Sequence, residues 1–557
     1  MLTIPIPLPS NEEMMKEYYN DLKLCGADKV LITACEIFCD DEKREDIFTR
    51  IRKCTEYYTE KGLEPGVWTT TLGWGDERDD DFRRKFGDCT RITSFAGNTS
   101  GAVCVLDEKF AKHIERNIED FVKAGVKLIL LDDDFVLSVR PGFTCSCDLH
   151  IKLFNERTNR EWTREEIRDL FTGKPTPERK IWMDLTGETM IDYCRRLRAV
   201  VDKFDPTVRI GLCASYTHYD LDGFDINELL KILAGENNRP YFRLSGATYW
   251  QAHAPRMTNM TMSGVVEFVR MQLGWLKDAE IDILDENDPH PRKTDVVPAQ
   301  DVELYDKAML TQDRVERLKY ILHLGSDRNA GDTAYREAHI KNLENDEKIR
   351  SFFENKKAVG YRVFSVQHKI RDAEMADEYP PRSSMLLSLY TQNFGASIAA
   401  RCGIPTRYDG DGPVIVFGED ARYLPENLAN GNIISDNIGA KILKEKGIDC
   451  TELDIDLLKT DFSDVPRYDK IFRENYPDLP VYVNGIYPLA SKSEDGSEMA
   501  VMLINEDKKD FENHEIILDK NYTLADTINC EAKVDGNVLT LKKIGARDWV
   551  CVLLNTK

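Results

Sequence analysis

At 557 residues the chain is too long for one hydrophobic core and should divide into two to four domains. Hydrophobic residues make up 42% and charged residues 31%, the balance of a globular protein, and a formal net charge of −23 disfavours nucleic acid and anionic membrane surfaces as partners. That charge suits a neutral substrate better than a phosphate-rich one. No run approaches the roughly 18 apolar residues of a membrane span, and residues 1–10 lack the basic start and apolar core of a signal peptide. The 14 cysteines lie mostly in apolar runs, as at Cys25, Cys35, Cys194 and Cys213. Buried free thiols fit that placement better than disulfides, and a cytoplasmic protein is expected.

Up to about residue 360, apolar strand-like runs alternate with amphipathic segments. Strands are predicted at Leu2–Ile6, Val30–Thr33, Gly66–Thr70, Val126–Leu131, Val208–Cys213, Phe242–Thr248, Ile281–Leu284 and Lys319–His323. Phe110–Ala124, Glu188–Lys203 and Ser263–Lys277 carry apolar positions three and four apart and are predicted helices. Some eight β-α units predict an α/β fold, a (β/α)8 TIM barrel. A doubly wound sheet is the rival, and nothing here matches its dinucleotide glycine fingerprint. The longest irregular insertion, 136–181, follows the fourth strand, where barrel loops build an active face.

After the breaker Tyr379-Pro380-Pro381-Arg382, a buried run at Val414–Phe417 precedes a helix pattern at Asp436–Lys446, with Ser435 placed to cap its start and Gly447 to end it. This predicts a small α/β domain. From Val481 to Lys557 short alternating runs are separated by turns at 494–496 and Asp535-Gly536, the pattern of a small β domain. The expected division is a barrel over 1–378, an α/β domain over 379–475 and a β-sandwich over 476–557.

A barrel presents its chemistry at the carboxyl ends of its strands. The run Val126–Leu131 stops at Asp132-Asp133-Asp134-Phe135, and three carboxylates at the mouth of a buried strand are costly unless hydrogen-bonded, solvated or partly protonated. Trp74 lies past the third strand, His218 after the fifth, Tyr249 and Trp250 after the sixth, and Asp285, Glu286 and His290 at the seventh. Opposed carboxylates with aromatic faces between them are what sugar hydrolysis requires. Each has a plainer reading. Asp132–Asp134 could form a solvated turn or hydrogen-bond hub, Trp74 and Trp250 could be core or rim aromatics, and His218 a hydrogen-bonded loop histidine. A metal-dependent hydrolase, with Asp132–Asp134 and His218 around a catalytic ion, is a second class, and a non-catalytic sugar binder a third. Cys145-Ser146-Cys147-Asp148-Leu149-His150 supplies soft metal ligands, and Cys104 is a plausible fourth. Three cysteines and a histidine would make a closed tetrahedral zinc site that staples the long loop and does no chemistry, and unliganded thiols are the plainer reading. No organic cofactor is expected.

These residues resemble the family 42 glycoside hydrolases and their relatives. In that family the fourth strand ends in Asn-Glu and an aromatic, and Asp133-Asp134-Phe135 stands at that place. The resemblance implies Asp134 as acid/base, Glu286 as nucleophile and Cys104, Cys145, Cys147 and His150 as the zinc ligands. Asp133, Trp74, His218, Tyr249, Trp250, Asp285 and His290 are expected to bind substrate. It further implies an amidotransferase-like trimerisation domain, seen in Gly403-Ile404-Pro405, Val416-Phe417-Gly418 and Gly447-Ile448-Asp449, and hence a homotrimer. The implied activity is retaining exo-β-glycosidase on small oligosaccharides or glycosides. β-Galactosides come first, and β-mannosides remain open because aspartate replaces both family residues on the fourth strand.

Overall fold

The computed structural model describes all residues except 35–40, 74–84, 139–143, 247–260, 277–279, 291, 323–332, 376–393 and 456–466. Eight strands close a barrel: β1 (Leu2–Pro7), β2 (Lys29–Thr33), β3 (Glu64–Thr69), β4 (Leu128–Leu131), β5 (Arg209–Cys213), β6 (Tyr241–Leu244), β7 (Asp282–Asn287) and β8 (Val315–Lys319). Neighbours follow chain order and every pair is parallel, with β8 returning to β1. Side chains alternate between two buried layers. Leu128 and Leu130 of β4 point inward to Leu31, Cys213, Leu284 and Leu318. Ile129 and Leu131 point outward to the helices, among them Glu108–Lys123 and Pro177–Phe204. Gly66 permits a close inward approach, since a Cβ there would lie 2.9 Å from the Leu31 side chain. Cys25, Cys194 and Cys213 are buried free thiols, while Cys35 lies outside the described residues.

The first seven predicted strands overlap the observed ones; the eighth does not follow the hydrophobic signal. The apolar run Tyr320–Leu322 lies past the end of β8, whose own sequence, Val-Glu-Arg-Leu-Lys, looks too polar for a buried strand. A closed ion network neutralises it. Lys319 Nζ lies 2.7 Å from Glu303 Oε1 and 3.0 Å from Asp306 Oδ2, and donates to His339 Nδ1 at 3.0 Å. Lys307 pairs with Glu303, Asp306 and Asp346, and Arg317 with Asp306 and Asp346. Three cations thus meet three carboxylates, all buried between β8 and its flanking helices. His339 is held neutral, its pKa lowered to about 3 by burial and by the Lys319 charge.

A second, all-parallel sheet runs in the order Thr406–Arg407, Tyr361–Val363, Val414–Ile415, Ile433–Ser435, Thr451–Glu452. Its two faces bury Ile398 and Phe472 on one side and Leu443 on the other, an α/β layer arrangement. Its strand at Tyr361–Val363 lies before the boundary expected at 378, because strand pairing rather than the later Pro-Pro breaker decides which sheet it joins. The helix Asn437–Glu445 is capped by Asp436, not Ser435: Asp436 accepts from Gly439 N at 2.9 Å, while Ser435 Oγ donates to Val416 O. Gly447, at φ 73°, follows its last turn as expected.

The remainder is a β-sandwich. One antiparallel sheet of five strands is built on Tyr487–Ser493, Glu498–Asn505 and Asp548–Thr556, and a second of four strands on Phe511–Leu518 and Val538–Ile544. Val501, Val552, Ile516 and Leu541 pack between them. No helix among the described residues is long and apolar enough to cross a membrane.

The ion network generates a stability prediction. Lys319→Met should leave two cations against three buried carboxylates and cost about 3–5 kcal/mol in urea unfolding. A loss below about 1 kcal/mol would show that the network is not a stabilising unit.

Candidate active site

After β4 the chain turns sharply, with Phe135 N donating to Asp132 O at 3.1 Å, so the three aspartates point in different directions. Asp132 is buried, and its Oδ1 accepts from Asp133 N at 2.8 Å. Asp134, expected as the acid/base, turns into the protein. Its carboxylate accepts from Thr71 N at 3.0 and 2.8 Å, Thr71 Oγ1 at 2.8 Å and Gly73 N at 2.7 Å, and it is fully buried. It is the hydrogen-bond hub that ties the loop after β3 to the end of β4. Asp133 is the one whose side chain stays partly open, 18% exposed, and its Oδ2 lies 3.3 Å from Arg243 NH2.

On β7 the alternation of side chains sends Glu286 inward and Asp285 outward. Glu286 Oε1 lies 2.5 Å from Arg243 NH1, with both side chains 1% exposed. Arg243, on β6, also donates to Tyr320 Oη at 3.1 Å, and its guanidinium lies 5.7 Å from the centre of the Trp68 ring. Trp68 and Tyr320 meet edge to face with centroids 5.7 Å apart. One guanidinium therefore bridges carboxylates from opposite sides of the barrel mouth, over a floor of two aromatics. Burial, then the Asp132 charge, pushes the Asp133 carboxyl well above the usual range, against the pull of Arg243. Tyr216 completes the wall. Burial, with Glu286 and Asp133 nearby, raises its phenol, and its φ of 49° is rare for a bulky residue.

The other predicted positions separate. Asp285 lies in the layer between barrel and helices, where its Oδ1 accepts from Leu318 N at 3.3 Å. Burial and the neighbouring Asp306 hold its carboxyl up at about 7. His218 is buried with Nδ1 3.0 Å from Ser138 Oγ, a loop-to-loop contact. His290 is half-buried in the turn after β7, near the Asp288–Arg292 pair. Trp74, Tyr249 and Trp250 lie outside the described residues. Asp134 and His218 face different partners, so the three aspartates and His218 do not gather around a catalytic ion. Arg243, Tyr216, Trp68 and Tyr320 are the site residues that the sequence reading did not single out. The one signal for Arg243 was a charge inside the short apolar strand Tyr-Phe-Arg-Leu.

Cys104, Cys145, Cys147 and His150 do come together, all buried, with their ligand atoms within 4.8 Å of one another. Cys104 Sγ is 3.7 Å from Cys147 Sγ, and His150 Nδ1 is 3.5 Å and 3.4 Å from those two sulfurs. Tetrahedral bonds of about 2.3 Å to sulfur and about 2.0–2.1 Å to nitrogen would set sulfurs about 3.7 Å apart and nitrogen about 3.5 Å from sulfur. The donor set fits such an ion. Glu303, Asp306 and His339 also cluster, but the Lys319 ammonium lies against all three and supplies the positive charge there.

Asp285 yields a pH prediction. Its folded-state pKa near 7 lies above the unfolded value near 3.8, so between these the folded state holds the extra proton. Stability should fall as pH rises from about 4 to 7 and level off above. Asp285→Asn should flatten that window by on the order of a few kcal/mol in denaturant titrations at successive pH values. Parallel curves for the two proteins would exclude the assignment.

No family model and no curated protein sequence matches the chain. Solved structures do. A β-galactosidase from Bacillus circulans sp. alkalophilus superposes with a TM-score of 0.61 at 9% identity, covering 100% of this chain and 98% of that one. β-Galactosidases from Rahnella sp. R3 and the psychrophilic Marinomonas ef1 give 0.59 at 9% and 0.60 at 8%, covering 99% and 100% of this chain, and 98% and 100% of their own. At such identities the likeness establishes a shared fold, an eight-stranded parallel barrel with additional β-rich domains at the C-terminus.

Proposed function

We propose that the chain is a retaining exo-β-glycosidase that removes terminal β-linked sugars from small oligosaccharides or glycosides, β-galactosides first and β-mannosides next. The observation that carries this reading is the Asp133–Arg243–Glu286 bridge across the barrel mouth, on the architecture of three solved β-galactosidases. Two carboxyls in unlike environments divide the labour of glycoside cleavage. Glu286, paired with a guanidinium that compensates its charge, attacks the anomeric carbon as the bond to the leaving oxygen breaks. Asp133, whose surroundings favour its proton, delivers that proton to the leaving oxygen. It then accepts one from the water that releases the sugar from Glu286, returning both groups to their starting states. The role that resemblance implied for Asp134 passes to Asp133, since the Asp134 carboxylate is engaged by the Thr71 and Gly73 amides. Two carboxyls touching one guanidinium favour the short spacing of double displacement over the wider gap that holds a water. Trp68 and Tyr320 offer aromatic surface for the C–H face of a sugar ring.

Cys104, Cys145, Cys147 and His150 would hold a structural zinc ion. Bound there, it supplies a cross-link between the start of the helix at Glu108–Lys123 and the loop after β4, and no chemistry. The same reading carries a homotrimer built through the second domain, to be checked by sedimentation velocity; a monomeric mass at micromolar concentration would overturn that part.

Glu286→Ala should lower kcat on nitrophenyl β-glycosides by at least about 10⁴-fold, and azide should restore turnover with release of the α-glycosyl azide. Asp133→Ala should slow poor leaving groups far more than activated ones, with azide yielding the β-azide. Full activity in either variant, or an inverted product from the wild-type enzyme by NMR, would refute the mechanism. Purified protein should carry one zinc per chain, and chelation should lower Tm before it affects kcat of the protein still folded.

A further inference from the structure

The second domain carries an arrangement that the barrel chemistry does not use. Arg362 and Arg407 are direct register partners on adjacent parallel strands. Partners in register project to the same face, so two guanidiniums stand side by side about 5 Å apart at the backbone. Like charges in that position repel, and in a chain of net charge −23 a neighbouring carboxylate would be easy to supply. Among the described residues none reaches them: no carboxylate oxygen there lies within 4.0 Å of either guanidinium, and Nε and NH1 of Arg362 and Nε of Arg407 are buried with no hydrogen-bond partner. The nearest acids, Asp409 and Asp411, sit on the exposed loop that follows and act only at a distance. The loop itself keeps space open around the pair. Gly410 and Gly412 have φ of 68° and 141°, and a Cβ on them would come within 3.2 Å and 3.0 Å of the Arg407 guanidinium. Buried donors left unpaired cost free energy that an incoming acceptor would recover, and guanidinium forks match the planar or tetrahedral oxygens of carboxylates and phosphates.

We propose that Arg362 and Arg407 form an oxyanion-binding site on the second domain that takes the phosphate or carboxylate group of a small molecule. The site stands apart from the barrel mouth, on a strand whose Thr406 and Tyr408 hydrogen-bond to Glu267 of the helix Met262–Trp275. Its occupancy is independent of whether the barrel cleaves glycosides.

The test uses the full chain, with inorganic phosphate and citrate as separate probes, sodium chloride holding the ionic strength, and isothermal titration and thermal melting as readouts. Saturable binding with a matching rise in Tm is expected for at least one probe, and the stronger response assigns the anion class. Arg362→Gln and Arg407→Gln should each weaken that binding at least about tenfold, the loss of one charge-assisted partner. Removing one of two repelling charges should leave the anion-free Tm equal or higher, which separates loss of the site from loss of the fold. No saturable response to either probe, or an equal response in wild type and both variants, means an adventitious ion only and overturns the proposal.

Discussion

The barrel mouth is organised around one buried guanidinium, that of Arg243. Arg243 rises from a strand inside a closed barrel, where an isolated charge would be prohibitive, and it is tolerable only because Glu286 and Asp133 meet it from two sides. The dependence runs both ways. Without Arg243, Glu286 and Asp133 would face each other in a poorly solvated bowl with Asp132 close by, where the charged form of a carboxyl is disfavoured. The guanidinium thus fixes which acids converge. Trp68 and Tyr320 beneath it complete a surface that is apolar in its floor and charged at its rim.

Around that centre, buried polar contacts hold the loops of the barrel mouth. The Asp134 carboxylate binds the amides after β3. Ser146 donates through both its amide and hydroxyl to Thr93 O, Leu137 N donates to Asp222, and Ser138 meets His218. Together with the cysteine–histidine cluster, these contacts immobilise the approach to Asp133 from outside the barrel. Behind β7 and β8, the network of Lys307, Arg317 and Lys319 with three acids anchors the strand next to the one that bears Glu286. Such rigid backing fixes where a buried carboxyl sits.

The added domains are joined to the barrel by the same device of satisfied buried charge. Glu267 receives hydrogen bonds from Arg270 on its own helix, from Thr406 and Tyr408 of the second domain, and from Tyr487 of the sandwich. One carboxylate therefore ties three units together, and the helix that carries it comes after β6, the strand of Arg243, in the chain.

Periodicity along the chain was enough to reveal the barrel, the later α/β sheet and the terminal sandwich, because each buried strand or helix face leaves a local apolar signature. The position of Glu286 at a strand end was also readable, as an acid closing an apolar run. The failures share a cause. β8 is built from charges whose partners lie on helices elsewhere in the chain, so local hydropathy pointed to Tyr320–Leu322 instead. Asp134 and Asp133 are indistinguishable as neighbours in sequence, and only the turn geometry sends one to the Thr71 amide and the other to Arg243. Sequence by itself determined which segments must be buried. The tertiary structure decided which ionisable groups meet, since the free energy of a buried charge depends on partners that folding brings from distant positions.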